Sequence, residues 1–208
     1  MKVQKRTKTW YTTDEGFEFT FEPIEDSVKI KETKDGYEIR YLVQDDNAIS
    51  PDEDNGDNSL FLTSYHRDFW VDNKLVSKRD CQLLVEDDLD EDEQARKEEL
   101  QKEYWTFGLE AYIHSGVRLA FRNMGNFPDR RWDVSFVGLI FADKKEFKTE
   151  KDAENCAKGL IDTWNMYLSG EVYGRIKETY DKDKQQIDHD SCWGYYGYKH
   201  AIEELEYF

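Results

Sequence analysis

Metal or nucleophilic chemistry in this chain would fall to four residues: His114, His189, Asp190 and Cys192. Imidazole and thiolate are zinc donors, but the spacing matches no recognised zinc pattern, and no Cys-x-x-Cys pair exists. His189 and Asp190 are adjacent, so on a strand they point to opposite faces. Cys192 and His114 could pair as a nucleophile and its base, although the sequence does not fix their distance. His66-Arg67-Asp68 followed by Asn73 has the spacing of a kinase catalytic loop. The Gly-rich loop, the strand lysine and Asp-Phe-Gly that must accompany it are missing, so a strand-end Arg–Asp pair is expected instead. Asp52, Asp54 and Asp57 surround Gly56 as in a calcium loop. With that glycine at position six, however, Pro51 falls at position one and Leu62 at position twelve, where carboxylates are required. No metal and no cofactor is expected.

The remaining chemistry is charge and aromatic surface. The chain has 46 acids, 29 bases and a formal net charge of −17. Such a field repels nucleic acid, whose binding needs Lys and Arg to release counterions, and it repels anionic membranes. It suits a basic partner, including a protein whose usual ligand is DNA or RNA. The acids cluster twice. Asp45, Asp46, Asp52, Glu53, Asp54 and Asp57 lie within residues 45–59, and Glu86, Asp87, Asp88, Asp90, Glu91, Asp92 and Glu93 fill residues 86–93. A third candidate surface is aromatic, in Asp190-Ser191-Cys192-Trp193-Gly194-Tyr195-Tyr196-Gly197. Strict alternation puts Cys192, Gly194 and Tyr196 on one face and Trp193 and Tyr195 on the other. Trp and Tyr are typical hot-spot residues, yet the same string also suits a central strand packed on both faces.

The elements that must position these groups follow from periodicity. Phe17, Phe19 and Phe21 alternate with polar residues, the mark of a half-buried strand. Lys34-Asp35-Gly36 sits between Val28–Ile30 and Tyr37–Val43, predicting a β-hairpin over 27–43. Residues 45–59 read as a loop, Leu60–Tyr65 as a short strand and 68–85 as mixed strand and turn. Asp92–Arg96, Glu93–Lys97 and Glu98–Lys102 are acid-first pairs at i,i+4, predicting an exposed acidic helix over about 90–103. Tyr104–His114 and Val117–Arg122 read as strands, 123–133 as a loop and Val134–Ala142 as a central strand. Thr149 to Asp152 resembles a capping box before a helix with apolar residues at Ala153, Cys156, Ala157, Leu160, Ile161, Trp164 and Leu168. A hairpin from Glu171–Tyr180 and Ile187–Tyr196 follows, then a short C-terminal helix from His200 to Glu206.

The predicted fold is therefore α+β. It has a mostly antiparallel sheet with N-terminal β-hairpins, one main helix over about 149–168, the acidic helix over about 90–103 and the short terminal helix. The predicted organisation is an N-terminal β segment over 1–47 and a main α+β domain over 48–208. Cys81, Cys156 and Cys192 are odd in number and far apart, which argues against a disulfide framework and for a reducing cytosol. The basic N-terminus lacks the apolar segment of a signal peptide, and no apolar stretch approaches the roughly 20 residues of a membrane span.

Four strings in the second half resemble a family carried by bacteriophages and plasmids. They are Tyr112-Ile113-His114-Ser115-Gly116; Trp132-Asp133 leading to Val137-Gly138-Leu139-Ile140-Phe141; Tyr167-Leu168-Ser169-Gly170-Glu171-Val172-Tyr173-Gly174; and the Asp190–Gly197 string. Ser50-Pro51 and Tyr65-His66-Arg67 extend the likeness upstream. The chain departs from the family at Val134-Ser135, where Ser-Gly is usual, and at Asp129-Arg130-Arg131, where Cys-Pro usually precedes the Trp. The acidic segment 86–99 is also not a family feature.

The family has no assigned reaction. The resemblance implies a mobile-element accessory protein acting in a bacterial cytosol. By analogy with small acidic phage proteins, the first expectation is a binding protein that inhibits a host defence nuclease of the CRISPR or restriction type. Its acids, with Trp193 and Tyr195, would engage a basic nucleic-acid-binding effector as a nucleic-acid mimic, without direct contact with nucleic acid or membrane. The second expectation is a hydrolase of a nucleotide or modified base that draws on His114, Ser115, Asp133, Asp190 and Cys192, the polar residues of the resembling strings. The third is a structural or virion-associated module.

Overall fold

Residues 3–6, 10–13, 15–54 and 59–207 are described by the computed structural model. The fold is α+β, and every strand pairing among these residues is antiparallel. The chain forms two compact units, one from Met1–Ile49 with Gly170–Phe208 and the other from Ser50–Ser169. Residues 170–208 thus group with the N-terminal segment.

The Ser50–Ser169 unit contains α1 (Pro51–Asp54), β6 (Leu60–His66), β7 (Phe69–Val71), α2 (Lys78–Leu83) and α3 (Glu91–Glu103). These are followed by β8 (Tyr104–Ile113), β9 (Val117–Phe121), α4 (Arg130–Asp133), β10 (Val134–Asp143) and α5 (Glu150–Leu168). Its sheet has the order β7-β6-β10-β8-β9. The apolar run of β10 is central, as the sequence predicts. Gly138 is required there, because a Cβ would lie 1.9 Å from the Thr63 carbonyl oxygen of β6.

Helix α5 buries Ala157, Ile161 and Trp164 on one sheet face, against Leu62, Leu109, Leu119 and Ile140. A buried Trp removes about 150–250 Å² from water. At about 25 cal/mol per Å², Trp164 contributes on the order of 4–6 kcal/mol before ordering costs. Thr149 caps α5 by accepting from the Asp152 amide at 3.1 Å. Phe61, Leu139 and Phe141 form a second core on the other sheet face, with Cys81 of α2 and Leu100 of α3. Helix α2 occupies part of the span expected to be strand and turn. Its start signal is local: Ser77 accepts from the Asp80 amide while the Asp80 carboxylate accepts from the Ser77 amide.

The other unit begins with β1 (Val3–Arg6), β2 (Trp10–Thr13) and β3 (Glu18–Phe19), which form a three-stranded sheet. A four-stranded sheet follows in the order β12-β11-β5-β4, from β4 (Lys29–Glu32), β5 (Gly36–Gln44), β11 (Val172–Asp181) and β12 (Gln186–Tyr196). The predicted strand over Phe17–Phe21 is shorter than its alternation suggests, but Phe17 and Phe19 still bury against Ile39, Tyr41, Ile176 and Tyr180. Helix α6 (Tyr198–Leu205) covers the opposite face with Ala201 and Leu205 against Leu42.

Strand β12 lies at an edge rather than at the centre of its sheet. The register shifts between Tyr173–Tyr195 and Arg175–Cys192, leaving one extra residue on β12. Gly194 absorbs the bulge at φ +83°, a conformation that favours glycine. The glycine-rich string therefore serves a bulge, not two-sided pairing.

Candidate functional site

The catalytic candidates are divided between the units. His114 and Ser115 follow β8 and Asp133 ends α4, whereas Asp190 and Cys192 lie on β12. His114 Nδ1 is 4.0 Å from Asp133 Oδ2, with 68% of the His114 side chain exposed. Such a pair is a weak surface ion pair when the ring is protonated, and Ser115 beside it is also exposed. Cys192 Sγ accepts a hydrogen bond from the Tyr195 hydroxyl at 3.2 Å. Burial, reinforced by this bond, pushes the Tyr195 hydroxyl up to about 12. The Arg175 guanidinium lies 4.2 Å over the Tyr195 ring and donates to the Glu204 carbonyl at 2.7 Å. Among the described residues, no three His, Cys, Asp or Glu side chains are grouped to hold a metal. His66, Arg67 and Asp68 form the expected strand-end cluster, with Arg67 Nε 2.9 Å from Asp68 Oδ2.

The bulge also corrects the aromatic surface. Trp193 and Tyr195 do not share a face. The Trp193 ring packs over the bare backbone of Gly174, where a Cβ would approach it to 2.5 Å, and meets Phe21 edge-on at 5.4 Å. Tyr195 instead joins Leu42, Ala201 and Leu205 under α6. Strict alternation fails because Gly194 adds one residue between them.

The two acidic segments behave differently. Asp45 and Asp46 follow β5 in one unit, whereas Asp52, Glu53 and Asp54 form most of α1 in the other. Asp57 lies outside the described residues. The segment 86–93 is ordered as the approach to α3. Asp90 caps the helix by accepting from the Glu93 amide at 2.9 Å, and the Glu93 carboxylate accepts from the Asp90 amide. Arg79 bridges Glu86 and Glu93. Arg96 anchors α3 to Asp80 at 2.8 Å. Burial alone would raise the Asp80 carboxyl, but the bonds from Arg96 and Ser77 hold it below its usual range. Glu86, Asp90 and Glu93 are thus structural. Asp87, Asp88, Glu91 and Asp92 are exposed and have no cationic partner among the described residues.

A further surface lies on β8, β9, β10 and the 122–133 segment. Glu110 is buried and receives four hydrogen bonds. The Asn123 and Gly125 amides donate at 2.8 and 2.9 Å, and Arg130 donates to its two oxygens at 3.0 and 2.7 Å. Burial alone would raise this carboxyl, but these donors hold it below the usual range. Arg130 also donates to the Gly125 carbonyl, and Phe127 stacks on Tyr112 at 5.7 Å. The segment is thereby fixed while its outward groups stay exposed, with Trp132 at 79%, Met124 at 71% and Phe136 at 40%. Arg131 lies over Trp132 at 5.3 Å and Arg122 over Phe136 at 5.1 Å.

Beside this surface, a groove of about 750 Å³ borders the free edge of β9, lined in part by Arg118, Met124, Phe127, Lys158 and Asn165. Asn165 occupies the middle of that edge. It accepts from the Leu119 amide at 2.7 Å and donates to the Leu119 carbonyl at 3.0 Å. The sequence predicts only a loop over 123–133, yet it carries one signal: no acid occurs from Ala111 to Pro128, in a chain with 46 acids among 208 residues. No family model, curated protein or solved structure matches the chain.

Proposed function

We propose that this chain is a binding protein whose partner is a basic, nucleic-acid-handling protein, of the kind used in bacterial defence. The observation that carries this reading is the front of α3. Four acids there, Asp87, Asp88, Glu91 and Asp92, are exposed and have no cationic partner among the described residues, on a scaffold that three neighbouring acids and Arg79 hold in place. Fixed charges lose less freedom on binding than charges on a mobile tail. Residues 86–103 contain ten acids and three bases, which concentrates the −17 of the chain. The resemblance to bacteriophage and plasmid proteins supports a host-defence target, with the acids standing where phosphates would. The candidate catalytic groups, by contrast, are divided between two units.

The test is capture from bacterial lysate with tagged protein, before and after nuclease treatment, using the wild type and the D87N/D88N/E91Q/D92N variant. The wild type is expected to retain a basic nucleic-acid-binding protein after nuclease treatment. Duplex DNA should displace that protein, and the neutral variant should fail to retain it. Equal capture by the neutral variant, or capture that DNA leaves unchanged, overturns the reading.

A further inference from the structure

We propose that the Ser50–Ser169 unit pairs with a second copy of itself through the arginine–aromatic surface. In this pairing, that surface of each copy meets the acidic approach to α3 of the other. The surface is carried by Arg118, Arg122, Met124, Arg131, Trp132 and Phe136, all exposed. Aromatics, Met and Arg are the types enriched at protein interfaces, where Asp, Glu and Lys are depleted. An indole 79% exposed and a methionine 71% exposed are unusual in a chain this polar, and large exposed apolar side chains that cluster mark contact sites.

Charge selects the occupant. Arg118, Arg122 and Arg131 have no carboxylate partner among the described residues. An acidic surface complements them, and residues 86–93, with seven acids in eight positions, supply one on every copy. Phe136 and Arg118 lie on the same side of the five-stranded sheet as α3. Pairing places Phe136 opposite Glu110 and Arg118 opposite Tyr112. Along β8, Glu110 and Tyr112 alternate with Leu109 and Ala111 of the α5 face, and the β10 bulge between Phe136 and Gly138 keeps Phe136 in step, so these residues share the face on which Leu100 of α3 packs. With donor and acceptor surfaces on one side, two copies satisfy each other twice and the contact closes as a dimer. The free acids of α3 are then masked in the pair, so a foreign basic partner would compete with self-association. The pairing itself stands independently of that partner.

The experiment is sedimentation equilibrium on the purified full chain. It compares about 0.1 M with about 1 M salt, between which the Debye length falls from about 10 to about 3 Å. The wild type should dimerise at the lower salt and dissociate at the higher. Trp132→Ala changes an exposed side chain and should weaken pairing roughly tenfold or more. R118E/R122E/R131E and D87K/D88K/E91K/D92K should each be monomeric alone and should form a 1:1 dimer when mixed. Circular dichroism on each variant separates lost pairing from lost folding. A mass of 24.8 kDa for the wild type at all concentrations and at both salts overturns the proposal. So does a dimer that survives every substitution. Monomers that instead bind an oligothymidine through the same arginines and Trp132 would assign the surface to single-stranded nucleic acid.

Discussion

Replacing Glu110 tests whether the arginine–aromatic surface is built or incidental. Glu110 is buried, with only 4% of its side chain exposed, and holds Arg130 and the Asn123 and Gly125 amides. In Glu110→Ala, two amides in a partly buried loop lose their acceptor, at about 1–3 kcal/mol for each group left unsatisfied. Arg130 is 40% exposed and can return to water, so it adds little. The expected loss, summed over the two amides, is about 2–6 kcal/mol in the Ser50–Ser169 unit. Arg130→Ala should cost less, because Glu110 keeps both amides and water can enter the vacated site.

Hydrogen exchange of residues 122–130, read by mass spectrometry alongside urea unfolding, localises the effect. The Asn123 and Gly125 amides should lose protection in Glu110→Ala and keep part of it in Arg130→Ala. The pH dependence has a definite sign. The folded carboxyl is depressed below its ordinary value of 4.5, so its contribution is complete above that value and is lost as pH falls through the folded value. Glu110→Gln should therefore show a shallower acid limb than the wild type. If Glu110→Ala costs less than about 0.5 kcal/mol, within the range of ordinary surface substitutions, or if protection at 123 and 125 is unchanged, the loop is not organised by this carboxylate.

In the other unit, the Tyr180 hydroxyl donates to the buried Glu178 carboxylate at 2.6 Å, whereas the Tyr41 hydroxyl, buried near the same carboxylate and the Phe21 backbone, meets neither in good hydrogen-bond geometry. Calorimetry should show Tyr180→Phe costing about 1.5–3 kcal/mol and Tyr41→Phe within about 0.5 kcal/mol of wild type or stabilising. Equal costs would show that Tyr41 is bonded after all. Burial, then Glu178, pushes the Tyr180 hydroxyl above its usual range, so its contribution is complete below about pH 10 and is lost as pH rises further. At the β9 edge, Asn165→Ala uncovers both Leu119 backbone groups. It should cost about 1–3 kcal/mol and increase aggregation, since exposed strand edges template pairing. Light scattering on a concentration series checks this, and unchanged scattering would show that Asn165 does not guard the edge.

The parts of the fold legible in the sequence were those whose signals are local. Helix α5 shows in its apolar spacing and Thr149 and β10 in an unbroken apolar run, and helix α3 forms where its acid-first pattern places it, although Arg96 pairs with Asp80 and Glu99 and Lys97 with the Glu86 carbonyl. Long-range partnership was not legible. Nothing local says that residues 170–208 group with the N-terminal segment, or that β12 has a neighbour on only one side. The face assignment of Trp193 and Tyr195 failed because a single left-handed glycine resets strand alternation, and strand periodicity has no term for a bulge. Glu110 escaped notice for a related reason. It reads as one polar residue in an alternating strand, and its four donors come from residues 13 to 20 positions away.

Acidity in this chain is therefore not a uniform property. Within Glu86–Glu93, one acid caps a helix, one returns that cap and pairs with Arg79, and one ties Arg79 to the preceding turn. Neutralising those three would loosen α3 and weaken binding without any of them touching a partner. The four remaining acids form no ion pair among the described residues, so their neutralisation reports mainly on surface charge, with a small helix-dipole contribution from Glu91 and Asp92 in the first turn of α3. This separation makes the D87N/D88N/E91Q/D92N variant informative, where a wholesale neutral segment would not be. With D90N/E93Q as its counterpart, the helix signal should fall by circular dichroism. In the four-site variant that signal should hold while partner capture and self-association are both lost. If the four-site variant unfolds α3 instead, the division into structural and free acids is wrong, and both proposals lose the surface on which they stand.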